Sequence, residues 1–452
     1  LKNHCQYLFT TLLFALAISL NARDFNVQDF GAHGDGIQND TAAIQHAINA
    51  ATAVHGRVVV PRGHRYLVAT LELKGGIDFH LAGNLVISTN QQDYTGEGVI
   101  TASNAMGLKI TGNGNIEGRS LSFMTGYDKP GEWWLFKEWR PKMFILTGCT
   151  NLLVRDITFS DAPYWGLHML GCENVTVQNV TVSNRLDVPN CDGIDPDHCR
   201  NVKISGCHLV CGDDAIVVKS TRQTNDFGPC ADISVRDCTI ETQDSGLKIG
   251  TETVGEIRNV RFEHCKILRA SRGLTIQLRD EGEIHDILFR DIQFVSQYHS
   301  DPWWGRGEAI SLTAIPRFTD TKLGIMHHIR IENVQGRAEN SIRIAGSTGS
   351  RVHDVVLDRV HLTLDRWTSY PGGVFDNRPT KVIEPIQTHG TPGIMLSHAD
   401  GITVKDCTIQ WGSKLPDYFT AALETEDVSG LHLENFKGKA AHPEKSATIH
   451  RN

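Results

Sequence analysis

The chain lacks the basic surplus that binds nucleic acid: 44 lysines and arginines stand against 52 aspartates and glutamates, for a formal net charge of −8. A phosphate backbone is held by a basic stripe, so nucleic acid is excluded as the expected partner. It also lacks a bilayer-length run at its start, where a spanning helix would need about 20 apolar residues. The apolar run Tyr7–Leu20 has only 14 residues. With Lys2 and His4 before it and Ala22 after it, the segment 1–22 reads as a secretory signal peptide. The expectation is a secreted monomer, extracellular or periplasmic, free of the membrane once the signal is removed. None of the 11 cysteines forms a CxxC pair, so no zinc frame exists, and no cofactor is expected.

What the chain has in abundance is repetition. A nine-residue pattern recurs as NLLVRDITF from Asn151, NVTVQNVTV from Asn174, NVKISGCHL from Asn201, DISVRDCTI from Asp232, NVRFEHCKI from Asn259, DILFRDIQF from Asp286, HIRIENVQG from His328, DVVLDRVHL from Asp354 and GITVKDCTI from Gly401. Period-2 alternation predicts strands, and the turn-rich stretches between them predict a corner at each coil. Inward apolar residues then stack on their counterparts one coil away, burying a core that no single repeat could bury. The fold expected is all-β: a right-handed parallel β-helix forming one domain over residues 23–452, with long loop insertions. Cysteine alternates with Ile and Val at the seventh position (Cys207, Cys238, Cys265, Cys407) and forms a second column at Cys149, Cys172, Cys199 and Cys230. Stacked core thiols are expected, with a bridge in the second column as the alternative.

A second pattern, x-small-apolar-x-apolar, runs alongside the first from Trp165-Gly-Leu-His-Met to Asn340-Ser-Ile-Arg-Ile. Its first column holds Asp192, Asp214, Ser245, Arg272 and Glu308. Asp192, Asp213 and Asp214 fall on two successive coils, and Asp195 and Asp197 follow on the first of these. Like charges this close push their pKa values apart. One protonated carboxyl to donate to a leaving oxygen and one ionised carboxylate to activate water is what glycoside hydrolysis uses. Calcium binding and a purely structural role are the alternatives. Outward positions of the same strands carry Lys219, Lys248, Gln277 and Arg279, which puts cations near the aspartates.

These residues resemble glycoside hydrolase family 28, the polygalacturonase family of pectin-degrading enzymes. The resemblance runs from FNVQDFGAHGDGIQNDTAAIQHAINAA at Phe25–Ala51 through GLKITGNGNIEG at Gly107 to about Asn340. Its most specific part is NCDGID at Asn190 with CGDDAIVVKS at Cys211, which are similar to that family's NTDGID and GDD motifs. The resemblance implies an inverting hydrolase that needs no metal, with Asp213 as proton donor and Asp192 and Asp214 as the pair that positions and deprotonates water. Two segments depart from the family pattern. Asp244-Ser245-Gly246 stands where polygalacturonases have GHG, and Thr275-Ile276-Gln277 stands where they have RIK. Plain homogalacturonan is therefore not the expected substrate, and Lys248 or Arg279 is a candidate for the relocated charge.

Insertions carry Trp133, Trp134 and Trp139, then Trp303 and Trp304, and then the stretch from Trp367 to about Pro392. Loops on a rigid scaffold collect binding groups, and indoles offer faces to sugar rings. The candidate substrate-binding set is Asn190, Asp195, Lys219, Ser245, Lys248, Gln277, Arg279, Trp303, Trp304 and Glu308, for a pectic polysaccharide or oligosaccharide. A polysaccharide lyase and a non-catalytic glycan-binding adhesin are the rival classes.

Overall fold

The computed structural model describes residues 23–451; the predicted signal segment and Cys5 lie outside the described residues. Thirty-six strands join in one parallel network, and each coil pairs in register with the next. The nine-residue repeats do not form single strands throughout. In the first of them, strand Thr150–Arg155 is followed by a corner at Asp156 and a second strand, Thr158–Ser160. The first and sixth positions of every repeat take a left-handed backbone: Asn151 and Asp156, Asn174 and Asn179, Asn201 and Gly206, Asp232 and Asp237, and so on to Gly401 and Asp406. Asn, Asp and Gly tolerate that conformation best, which accounts for their recurrence there. Asn201 also donates a side-chain hydrogen bond to Asn174 at 2.7 Å, tying adjacent coils at the corner.

Inward residues fill the coil as expected. Leu152, Val154, Ile157 and Phe159 stack beneath Val175, Val177, Val180 and Val182, which lie beneath Val202, Ile204, Cys207 and Leu209; all are at most 2% exposed. A fully buried Val or Leu contributes about 1.5–3 kcal/mol, so the stack is stabilised coil by coil. Phe262 and Phe289 continue it with rings stacked at 4.9 Å. The ten described cysteines are free and buried. In the second column Cys172 and Cys199 donate their Sγ hydrogens to the Leu146 and Met169 carbonyls, so this column holds thiols, not a bridge.

The open N-terminal end of the stack is covered by a helix, Thr41–Thr52, that buries Ile44, Ala47, Ile48 and Ala51. This i, i+3, i+4, i+7 spacing is a helical apolar face, lying within the N-terminal stretch that carried the family resemblance. Asp40 before it accepts hydrogen bonds from the backbone of His33 and Gly34, which shapes the glycine-rich turn. Three insertions leave the coil. One is an antiparallel hairpin, Met124–Asp128 with Trp133–Phe136; one spans 297–307; the third, 365–393, contains the antiparallel pair Val374–Asp376 and Ile386–Thr388. Among the described residues no helix is long and apolar enough to cross a membrane.

Candidate active site

The carboxylates stand at the start of one sheet. Asp192 precedes strand Ile194–Asp197, and Asp213 and Asp214 precede Ile216–Ser220. Pairing of Ile194 with Ile216 sets Asp192 beside Asp214. Two glycines permit so close an approach. A Cβ on Gly193 would lie 2.3 Å from the Ala215 carbonyl oxygen, and one on Gly212 would lie 2.1 Å from that of Val188. One oxygen from each of Asp192, Asp213 and Asp214 therefore falls within 4.8 Å of the others.

Their partners set the three apart. Asp192 Oδ2 lies 3.4 Å from Lys219 Nζ, and Asp214 Oδ2 lies 2.7 Å from Lys248 Nζ. Asp213 has no ion pair among the described residues; its oxygens accept backbone hydrogen bonds from Asn190 at 3.1 Å and Asp214 at 2.8 Å. Burial, with the charges of Asp192 and Asp214 added, pushes the Asp213 carboxyl well above the usual carboxylate range. Asp214 is pushed up to about 7 by burial, with Lys248 opposing. Burial acts the other way on the Lys219 ammonium, yet Asp192, Glu252 and Asp195 hold it well above its ordinary value. A neutral acid beside lysine-paired carboxylates is an acid–base arrangement. The same three carboxylates are close enough together to hold a cation, but Lys219 and Lys248 already supply positive charge there, and a calcium ion would take 6–8 oxygen ligands.

These groups open into a cleft of about 250 Å³ that is also lined by Asn190, Lys219, Lys248, Gln277 and Trp304. The other expected residues lie behind its wall. Asp195 is fully buried, 4.0 Å from Lys219, and burial, with Asp192 adding, raises its carboxyl well above the usual range. Ser245 is buried and donates to Asp244 at 3.0 Å. Arg279 is buried against the carbonyls of Leu278, Thr313 and Asn377, and burial pushes its guanidinium down to about 9. Trp303 is buried, with its ring 5.5 Å from that of Trp133. Glu308 accepts the backbone N–H groups of Arg306 and Asp376. An outward position on a strand was not enough: Arg279 and Glu308 meet Asn377 and Asp376 of the 365–393 loop, and Trp303 is buried within the 297–307 loop.

Sequence reasoning left out of the site several groups that line the cleft: Tyr164, Trp165, Asp244, Glu252, Arg272, Arg317 and Arg378. Trp165 heads one strand of the second pattern, and Lys219 Nζ sits 4.3 Å from its ring centre, so a stricter reading of that column would have found it. Arg272 was already visible in the same column. Arg317 and Arg378 come from loops with no repeat to reveal them. Each cation of the cleft is already paired: Arg272 with Asp244 and Asp376, both at 3.1 Å, Arg317 with Asp280 at 2.9 Å, and Arg378 with Asp376 at 2.8 Å.

A family profile described as Glycosyl hydrolases family 28 matches residues 51–370. A Vitis vinifera protein named "Probable polygalacturonase" is 27% identical over 286 residues, covering 55% of this chain and 55% of that protein. The chain spans about half the length of the first curated relatives it matches. Among solved structures, the family 28 exopolygalacturonase of Yersinia enterocolitica superposes with a TM-score of 0.68 at 18% identity, over 92% of this chain and 78% of that one. An exopolygalacturonase of Thermotoga maritima gives 0.65 at 21% identity, over 86% and 92%. At these identities the two structures bear on the fold, which is the same parallel β-helix.

Proposed function

Because the chain belongs to glycosyl hydrolases family 28, we propose that it hydrolyses an α-glycosidic bond in a pectic polysaccharide or oligosaccharide of galacturonate or rhamnogalacturonan type, with inversion. The observation that carries this reading is the unequal environment of the three aspartates. Asp213, with no cation partner and a raised pKa, donates the proton to the leaving oxygen. Asp192 and Asp214, each held by a lysine, position a water and take its proton. Each keeps a buried oxygen, Oδ1, with no protein partner, and water is the natural occupant. Asn190, Trp165 and Trp304 on the cleft wall are the proposed sugar contacts. Inversion is taken from family membership. The carboxyl groups of inverting enzymes are about 6.5–9.5 Å apart, and the 4.8 Å bound here runs between nearest oxygens.

The secretory reading of Tyr7–Leu20 joins the proposal, as does action as a monomer without a bound metal. The test is incubation of the protein with a panel of pectic polymers and oligosaccharides in chelator, with identification of the sugars released. New reducing ends without ultraviolet-absorbing products are expected. An unsaturated uronate product would make the protein a lyase, and binding without any new reducing ends would make it an adhesin.

A further inference from the structure

Lys219 and Lys248 occupy outward positions on the sheet, where a cation is most simply read as a contact for a substrate carboxylate. The structure gives them other partners. Lys248 Nζ is 2.7 Å from Asp214 and 3.7 Å from Asp244; Lys219 Nζ is 3.4 Å from Asp192, 3.5 Å from Glu252 and 4.0 Å from Asp195. Their side chains keep 7% and 5% exposure, so almost no donor surface remains for a ligand. Each is braced from behind. Asp244 is itself fixed by Arg272 at 3.1 Å, and Lys219 rests on the Trp165 ring. In both base carboxylates the oxygen facing the lysine is Oδ2, and the oxygen left buried without a partner is Oδ1.

We propose that Lys219 and Lys248 are positioning residues, each clamping Oδ2 of one base carboxylate so that Asp192 Oδ1 and Asp214 Oδ1 are left to hold the attacking water. The inference rests on the hydrolase reading above. An unpaired buried carboxylate oxygen is costly, and a water accepted by both aspartates relieves two such oxygens at once. The Lys248 clamp also favours the ionised form of Asp214, against the like charges around it. Asp214 faces Lys248, Asp244, Asp192, Lys219 and Asp213. Asp192 faces Lys219, Asp195, Asp213 and Asp214, with Arg140 beyond. Removing Lys248 therefore moves the ionisation of Asp214 to higher pH.

The test uses protein labelled with carbon-13 at the aspartate carboxyls, with the Asp214 signal assigned through Asp214→Asn. In Lys248→Met the titration midpoint of Asp214 rises by about one unit or more, the usual scale for a lost neighbouring charge, while Lys248→Arg keeps it near the wild-type value. Lys248→Gln gives the same reading where the methionine variant does not fold. This arm needs no turnover, so it remains decisive even if the wild type releases no sugar, which would sink the hydrolase reading alone. With a cleaved substrate in hand, Lys248→Met and Lys219→Met lower kcat by about 10-fold or more with little change in KM, and in Lys248→Met the acid limb of kcat moves to higher pH. An unmoved Asp214 midpoint in the folded variant overturns the proposal, as does a rise in KM confined to uronate-bearing substrates.

Discussion

At the residue scale the unequal treatment of three neighbouring aspartates organises the site. Asn in place of Asp213 keeps the size, and its one amide oxygen can accept one of the two backbone hydrogen bonds, but the proton to be donated is gone. Asp213→Asn is expected to lower kcat by about 10²–10⁴-fold on the substrate found in the panel, with an unchanged circular dichroism spectrum; turnover near wild type would remove Asp213 from the mechanism. The pH profile follows from the same environments. Asp214 must be ionised to act as base, and its pKa is pushed up to about 7, so kcat rises as pH rises through that value. Asp213 must stay protonated, and its pKa lies well above the usual carboxylate range, so activity falls again only when it too ionises. An optimum near or above neutrality is expected, and kcat measured across pH that peaks below about 5, close to ordinary carboxylate values, would contradict these assignments.

At the scale of elements, coils and loops are held by different forces. The coils rest on stacked apolar residues and on left-handed corners at Asn, Asp and Gly. The 365–393 loop is docked by charge. Asp376, fully buried, pairs with Arg272 at 3.1 Å and Arg378 at 2.8 Å and accepts the Gly305 N–H at 2.7 Å. Those pairs hold Asp376 far below the usual carboxylate range against its burial. Asp376→Ala would leave two arginines without this partner, and breaking a buried pair in this way costs about 3–5 kcal/mol. The expected outcome is cleavage within 365–393 by a dilute protease, with the coils remaining intact; wild-type resistance would show that the loop docks by other contacts. Since this loop supplies Arg378 and Pro379 to the cleft, the variant should lose activity too.

At the scale of the whole molecule, a stack of coils presents one wall of aspartates and lets insertions shape the cleft in front of it. If the water sits between Asp192 and Asp214, on the other side of the bond from Asp213, the first-formed product of an α-linked substrate has the β configuration. Proton NMR of the fresh reaction reads this directly, and an α product would exclude the single-displacement mechanism. Specificity follows from the charge pairing of the cleft. Thr275 and Gln277 replace two cations of the family pattern, Gln277 Oε1 has no partner, and every lysine and arginine on the wall is paired with a protein carboxylate. Homogalacturonan is expected to be cleaved more slowly than a pectic substrate with a neutral sugar beside the cut, in parallel kcat/KM measurements. Faster cleavage of homogalacturonan would show that a paired cation is shared with the substrate.

By itself the sequence determined the coil, its inward columns and the grouping of Asp192, Asp213 and Asp214, while it left a bridge in the second cysteine column open until the structure showed free thiols. Each follows from alternation repeated from coil to coil, and parallel pairing converts that repetition into spatial columns without long-range information. It also held an unread signal for the corners, in the Asn, Asp and Gly that fill the first and sixth positions of the repeats except at His264, His328 and Arg359. Only the tertiary structure decided which outward residues reach the cleft. Asp195, Ser245, Arg279, Trp303 and Glu308 are all covered: Asp195 lies 4.0 Å from buried Lys219, Ser245 turns to Asp244, Arg279 and Glu308 meet Asn377 and Asp376 of the 365–393 loop, and Trp303 is buried within the 297–307 loop. Only the structure brought in Arg317 and Arg378, and only it turned Lys219 and Lys248 from apparent substrate contacts into partners of Asp192 and Asp214. Loop docking and ion pairing depend on charges that lie far apart in the chain, as Arg272 and Asp376 do, and buried charges settle on whichever partner relieves their desolvation; neither leaves a local periodicity to be read.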